Sequence, residues 1–370
     1  LITVKIIVLE AYSYQLCRLT GILLWQYLLL MGDIESLIKQ LNTPNKIVIT
    51  THHKPDADAL GSSLGMANYL IKKGHNVKVI TPSDYPGFLN WMKGNDDVLV
   101  YTDKNSDQVQ TFIDEADTII TLDFSVLHRI NEMGEMVRNA KAFKVNVDHH
   151  LEPEDFADYR LWNAKAASTC ELCFELIVML GDKALIDKDI AECLYAGIMT
   201  DTGGFRHPNT TQNVHEVVAE LIGIGADNAK IAKEIYDTNS LNRLKFLGFA
   251  LSQKLEVLPE FHTAYFAITN DELNQFESKT GDTEGLVNYA LSLEGIVLAV
   301  LFKDSGDGIK MSFRSIGEFP ANEIASKYFN GGGHRNAAGG KTEGTLEETV
   351  DKFKSVLIDY KPLLDSEKNN

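Results

Sequence analysis

The sequence predicts an α/β protein of two domains, the first of them built on a parallel sheet. Three observations carry that reading. The chain has 370 residues, more than one domain of roughly 100–200 residues usually holds. From Asp33 onward, short β-branched runs alternate with stretches of helical spacing, the βαβ rhythm of a parallel sheet. After about Phe261 the rhythm gives way to strands and helices in mixed order, so a smaller mixed α/β domain is expected there.

Composition narrows the class. Apolar residues make up 44% and charged residues 24%, the balance of a soluble globular chain. Lys plus Arg total 35 against 52 Asp plus Glu, a net charge of −17. Long nucleic acid is therefore excluded as a partner, because its binding is carried by many Lys and Arg contacts to phosphate. Any phosphate-bearing substrate should be small and held by a few local cations or metal ions. The four cysteines, Cys17, Cys170, Cys173 and Cys193, are too few and too irregular for a disulfide framework and suggest a reducing cytoplasm. Cys170 and Cys173 form a C-x-x-C inside Ser168 to Leu180, an apolar stretch that reads as a buried helix, so packing is preferred to zinc or redox chemistry.

In order along the chain, residues 1–30 do not resemble the rest. The apolar run Gly21 to Met31 falls well short of the roughly 20 residues that span a bilayer. Met31 is expected to open the functional protein, with 1–30 an upstream extension. A helix then runs to about Leu41, a strand over Lys46 to Thr50, a helix to Lys73 and a strand over Asn76 to Thr81. A short helix near Asp107 to Glu115 precedes the strand Thr118 to Leu122, a helix Val126 to Asn139 and the strand Phe143 to Val147. Helices dominate from Ser168 to about Asn239, which closes a first domain of residues 31–239. Residues 240–258 read as one long helix joining it to a second domain over 259–365, with strands at Thr263 to Ile268, Gly295 to Phe302 and Ile309 to Arg314.

The chemistry concentrates where strands end. Thr51-His52-His53-Lys54-Pro55-Asp56-Ala57-Asp58 follows the first strand, Asp123 ends another, and Asp148-His149-His150 ends a third. The crevice outside the carboxyl ends of the strands is where open α/β sheets bind ligands. Asp201 sits in Thr-Asp-Thr-Gly-Gly-Phe, a glycine-marked turn between helices. Together His52, Asp56, Asp58, Asp123, His149 and Asp201 supply four carboxylates and two imidazoles, too oxygen-rich for structural zinc and suited to Mn²⁺ or Mg²⁺. Six such ligands hold two ions only if one carboxylate bridges them, which points to phosphoester hydrolysis. Each piece has a plainer reading: Asp56 and Asp58 as helix caps, Asp123 as a turn residue, Asp148 as a histidine's partner, His150 as a core histidine. In the second domain, Gly331, Gly332 and Gly333 are expected to let backbone N–H groups approach an anion, with His334, Arg335 and the fork of Arg314 adding donors. Arg206 and His207 read equally as substrate contacts or surface groups. No Gly-Lys-Ser/Thr follows the glycines, so nucleoside-triphosphate hydrolysis is not indicated.

Residues 52–63, Asp123, Asp148-His149-His150, Asp201 and the Gly-Gly-Gly-His of 331–334 closely resemble the DHH phosphoesterase superfamily with its DHH-associated C-terminal domain. Within it the chain looks most like the NrnA-type bifunctional oligoribonucleases and pAp phosphatases. The resemblance implies an active site in an interdomain cleft with two Mn²⁺ ions. His52, Asp56 and Asp123 would hold one; Asp58, Asp123, His149 and Asp201 would hold the other. Asp148 would orient a histidine and His150 would contact the scissile phosphate or protonate the leaving oxygen. Arg314, the glycines, His334 and Arg335 would grip the substrate's phosphate and nucleotide. The implied substrates are very short RNA and pAp, with no long nucleic acid and no membrane as partners; a homodimer stays open, as does Mg²⁺ or another divalent ion. The competing readings are a family II inorganic pyrophosphatase, a linear or cyclic dinucleotide phosphodiesterase, and a non-catalytic nucleotide sensor.

Overall fold

The computed structural model describes residues 34–367, so the expectation for residues 1–30 lies outside the described residues. The chain divides into two compact units between Thr238 and Asn239. Among the described residues no helix is long and apolar enough to cross a membrane.

In the first unit a helix over 34–41 (α1) leads to β1 (Lys46–Thr51). There follow α2 (Ala57–Lys72), β2 (Asn76–Thr81), β3 (Leu99–Val100), α3 (Ser106–Asp114), β4 (Thr118–Leu122), α4 (Met133–Asn139), β5 (Phe143–Asp148) and β6 (Tyr159–Trp162). Helices α5 (Thr169–Met179), α6 (Lys188–Asp201), α7 (Gln212–Ile224) and α8 (Asn228–Tyr236) complete it. The β-branched runs of β1 and β4 are buried on both faces, as a parallel sheet with helices on either side requires. The strand order is β3-β2-β1-β4-β5-β6, all parallel. The chain builds outward from β1 on one side, then returns to build outward on the other, so the switch in direction falls between β1 and β4. Ligand crevices open at such a point.

Register places the site. Thr51 pairs with Leu122, and Leu122 with Val147. The next residues on the three strands, His52, Asp123 and Asp148, therefore stand in one row. One face of the sheet is covered by α2, α5, α6 and α7 through Leu60, Leu64, Leu176 and Leu194; α3 and α4 cover the other through Val109, Ile113 and Val137. Two helices cross closely enough that a Cβ on Gly61 would lie 2.5 Å from the backbone oxygen of Cys193. Cys170, Cys173 and Cys193 are all buried and unpaired with one another.

The helix expected over Val126 to Asn139 is broken. A 3₁₀ turn, Leu127–Ile130, precedes α4, and Asn131 between them has φ +49. A side chain at Gly134 would lie 2.6 Å from the Leu127 carbonyl, so the chain folds back on itself there instead of continuing.

The second unit opens with α9 (Leu241–Phe249), a π turn Ala250–Lys254 and β7 (Leu255–Leu258). One helix was expected over 240–258. Its last part is a strand because Leu255 to Leu258 pairs antiparallel with β8 (Thr263–Ile268), and Pro259 turns the chain between them. Then come α10 (Asn270–Gln275), α11 (Leu286–Leu291), β9 (Leu298–Asp304), β10 (Ile309–Ser315), α12 (Ala321–Tyr328), β11 (Gly332–His334), β12 (Ala337–Thr342) and α13 (Leu346–Glu367). The sheet order is β11-β12-β10-β9-β8-β7, with β8 and β9 parallel and the other pairs antiparallel. Phe302, Phe313 and Phe353 centre one side of its core.

Two outcomes follow from this packing. Gly61→Ala must push α2 from α6 and is expected to cost about 1–3 kcal/mol, read as a lower midpoint in urea; an unchanged midpoint would mean that the crossing is loose. Glu175 on α5 shares the Asn213 amide with Glu171, and burial, with the Glu171 charge adding, pushes its carboxyl up to about 7. Between the ordinary glutamate value and about 7 the folded chain keeps a proton that the unfolded chain has released, so stability falls as pH rises through that window. Glu175→Gln is expected to shrink the drop in urea midpoint between pH 5 and pH 8; a drop of unchanged size would contradict the assignment.

Candidate metal centre

The His52-to-Asp58 loop first caps a helix. Asp56 takes the N-cap of α2, its Oδ1 accepting from the backbone N–H groups of Asp58 and Ala59 at 3.1 Å each. The cap reading of Asp56 is thus correct as far as it goes, and the same oxygen lies 4.0 Å from His52 Nε2. Asp58 does not cap α2. It is fully buried, and its two oxygens accept from the N-terminal N–H groups of α5: Oδ2 from Thr169 at 2.6 Å, Oδ1 from Cys170 at 2.9 Å.

Asp123 sits at the centre of the row. Its backbone has φ +66, a left-handed conformation that short polar side chains tolerate and that functional positions often hold. Oδ2 lies 3.4 Å from His52 Nε2, and Oδ1 lies 3.5 Å from His149 Nε2. His149 Nε2 is also 3.5 Å from Asp201 Oδ2 and 3.8 Å from Asp58 Oδ2. Both imidazoles turn Nε2 inward because Nδ1 faces a carbonyl: His53 at 3.0 Å for His52, Ala166 at 3.3 Å for His149. A carbonyl accepts only, so Nδ1 carries a proton; Nε2 is then the nitrogen that donates to a carboxylate when protonated and that would offer its lone pair to a cation. His150 is held differently, with Nδ1 2.8 Å from Asp148 Oδ1. Asp148 is fully buried.

Ligand atoms of His52, Asp56 and Asp123 lie within 4.8 Å of one another, as do those of Asp58, His149 and Asp201. Without a cation the cluster is electrostatically frustrated. Burial, then the Asp123 charge, pushes Asp58 up to about 8. Burial and the charges of Asp58 and Asp56 push Asp201 well up. Burial opposes ionisation of Asp123 as well, but hydrogen bonds to His149 and His52 hold its carboxyl well below the usual range. Burial disfavours charge on His149 and His52, yet hydrogen bonding to Asp123 and the other carboxylates raise both. Protons stand in for missing positive charge, and carboxylate with imidazole donors fits a hard or borderline divalent ion. The residues present therefore fit a divalent metal centre.

Thr169, Ala166 and Trp162 also shape the site, although sequence spacing had not singled them out. The Thr169 hydroxyl donates to Asp123 Oδ1 at 2.8 Å, and the indole of Trp162 donates to the His150 carbonyl at 2.6 Å. Asp201 is the last residue of α6, and Gly203 and Gly204 turn the chain after it with φ +58 and +69. Arg206 Nε donates to the Gly203 carbonyl, and His207 Nδ1 lies 3.3 Å from the Asp201 carbonyl.

In the second unit the glycine run is an edge strand rather than an open loop. Gly331 and Gly333 have a packing reason: a Cβ on either would fall 2.0 Å from the Gly339 oxygen or 2.6 Å from the Ala337 oxygen. Gly332 alone of the three faces open space. Arg314 and His334 both stand opposite Ala337, on the two sides of β12, so they share a face with a small residue between them. Arg314 also donates to the Phe313 carbonyl. Arg335 is paired with Glu318.

Residues 46–198 match the DHH family, N-terminal domain, and residues 262–361 match the DHHA1 domain. The bifunctional oligoribonuclease and PAP phosphatase NrnA of Thermus thermophilus is 31% identical over 325 residues, covering 86% of this chain and 90% of that protein. The chain belongs to the DHH family. The Bacillus subtilis protein of the same name is 29% identical, covering 82% of this chain and 91% of its own length. The solved structure of an exopolyphosphatase-related protein from Bacteroides fragilis is similar at TM-score 0.86 and 40% identity, covering 90% of this chain and 98% of that one. As a DHH protein this chain is a hydrolase acting on phosphoester bonds.

Adding Mn²⁺ or Mg²⁺ to chelator-treated protein is expected to raise its unfolding temperature, equivalent to about 2.7 kcal/mol at a hundredfold excess over Kd. Asp201→Asn removes one crowded carboxylate, so it should hold or raise stability in chelator while losing most of the cation-induced rise. A rise of unchanged size would remove Asp201 from the ligand set.

Proposed function

We propose that this chain is a two-Mn²⁺ phosphoesterase that degrades very short oligoribonucleotides to mononucleotides and converts pAp to AMP. The observation that carries the reading is the division of Asp123: one oxygen faces His52, the other His149. Each histidine belongs to a separate group of three ligand-type side chains, so Asp123 is the carboxylate that two ions would share. The NrnA relatives, similar over most of their length, support the substrate class.

His52, Asp56 and Asp123 would hold one ion, and Asp58, Asp123, His149 and Asp201 the other. Divalent ions bound there supply Lewis acidity toward phosphoryl oxygen and lower the pKa of water. The chain's own groups do the rest. Asp148 anchors His150 Nδ1, which directs Nε2 away from the anchor. His150 gives its proton to the departing ester oxygen. Arg314 and His334 would bind a phosphate of the substrate, and Gly332 leaves room beside them; Arg335, tied to Glu318, contributes less than the sequence suggested.

The test is product analysis with Mn²⁺ on pAp, a 5′-phosphorylated RNA dinucleotide, a 24-mer RNA, pyrophosphate and tripolyphosphate. Mononucleotides from the first two with slow turnover of the 24-mer are expected; orthophosphate from the last two alone would overturn the proposal. Asp123→Ala is expected to abolish turnover and weaken cation binding. His150→Ala should keep cation affinity and lose about 10²–10⁴ in kcat. Equal loss of metal in both variants would defeat that division of roles.

A further inference from the structure

Asp123 follows the end of its strand in a left-handed conformation, and among the described residues no hydrogen bond from its own strand reaches its side chain. Among the described residues, the one hydrogen bond to that side chain from outside the histidines comes from Thr169, whose hydroxyl donates to Oδ1 at 2.8 Å. The backbone N–H of the same residue donates to Asp58 Oδ2 at 2.6 Å. Thr169 is fully buried, as is Asp58, and Asp123 is nearly so. The first residue of α5 thus touches two carboxylates from different elements, Asp58 in the first turn of α2 and Asp123 at the end of β4. Ser168 caps the helix independently by accepting from Glu171 N–H, so the Thr169 hydroxyl is not needed for the cap.

We propose that Thr169 is a positioning residue: its hydroxyl sets the rotation of the Asp123 carboxylate, so that Oδ1 faces the Asp58–His149–Asp201 group and Oδ2 faces His52. The inference rests on the two-cation reading above. A carboxylate free to turn about its Cβ–Cγ bond would have to lose that freedom on binding two ions, whereas one held by a buried hydroxyl has already lost it. Partners of this kind behind a metal ligand are worth about 10–100-fold in affinity or activity.

The test compares Thr169→Val, which keeps shape and both backbone donors, with Thr169→Ser, which keeps the hydroxyl. Thr169→Ala removes the hydroxyl without adding bulk at Oδ1, should the valine fail to fold. Mn²⁺ binding is read by calorimetric titration of chelator-treated protein, and kcat and KM for pAp at saturating Mn²⁺. The valine and alanine variants are expected to bind Mn²⁺ 10–100-fold more weakly and to lose kcat with KM changed less than about twofold. The serine variant should stay within about threefold of the parent. Parent-like affinity and kcat in the valine or alanine variant overturn the proposal, and so does a serine variant as weak as they are, since packing of the methyl would then be responsible. If the parent protein itself takes up no divalent ion, the metal centre falls and this role with it.

Discussion

The structure depends on burying carboxylates side by side. Asp58 and Asp123 are almost wholly removed from water, and each buried ion costs several kcal/mol unless charge or hydrogen bonds answer it. The first unit answers from several directions. The N-terminus of α5 meets Asp58 with two backbone N–H groups, the Thr169 hydroxyl meets one side of Asp123, and two imidazoles meet the rest. What these leave over is negative, a charge that a divalent cation would balance.

The fold makes this concentration attainable because a parallel sheet ends all its strands at one edge. Register alone aligns His52, Asp123 and Asp148, and the change of building direction between β1 and β4 opens the crevice beside them. Geometry then assigns roles to similar residues. Asp56 is exposed enough to cap a helix and still lie near His52. Asp148 and Asp123, one strand apart, divide their work: the first anchors His150, the second faces His52 and His149.

Much of this was legible in the chain because it is written locally. Strands β1 and β4 are nearly unbroken β-branched or apolar runs, β5 alternates apolar with polar residues, and each leads directly into the residues that carry chemistry, so period and position sufficed. What was not legible depends on distant partners. Thr169 and Asp58 are 111 positions apart, and no spacing reveals that a helix start will face a loop. Leu255 to Leu258 continues a helical pattern, but a partner strand takes its backbone groups. Strand β6, four residues on the sheet edge, is too short for its alternation to stand out. The glycine run was visible, yet its cause was not: Gly331 and Gly333 are small because their own hairpin passes close to them.

That last point changes how the second unit is understood. If the three glycines formed an open nest, affinity for an anion would reside in backbone N–H groups. Here the Gly331 N–H is committed to the Ala325 carbonyl and an edge strand gives alternate N–H groups to its neighbour, so anion recognition under the proposed function would lean on side chains that register brings to one face, Arg314 and His334 on either side of Ala337. Glu318 draws Arg335 into a local pair, which lowers the positive charge that face offers. With an overall charge of −17, long-range attraction for a polyanion is absent, and binding must come from a few directed contacts. Under the proposed function, such a surface would favour a ligand with few phosphates, because each further phosphate would add repulsion without adding a partner.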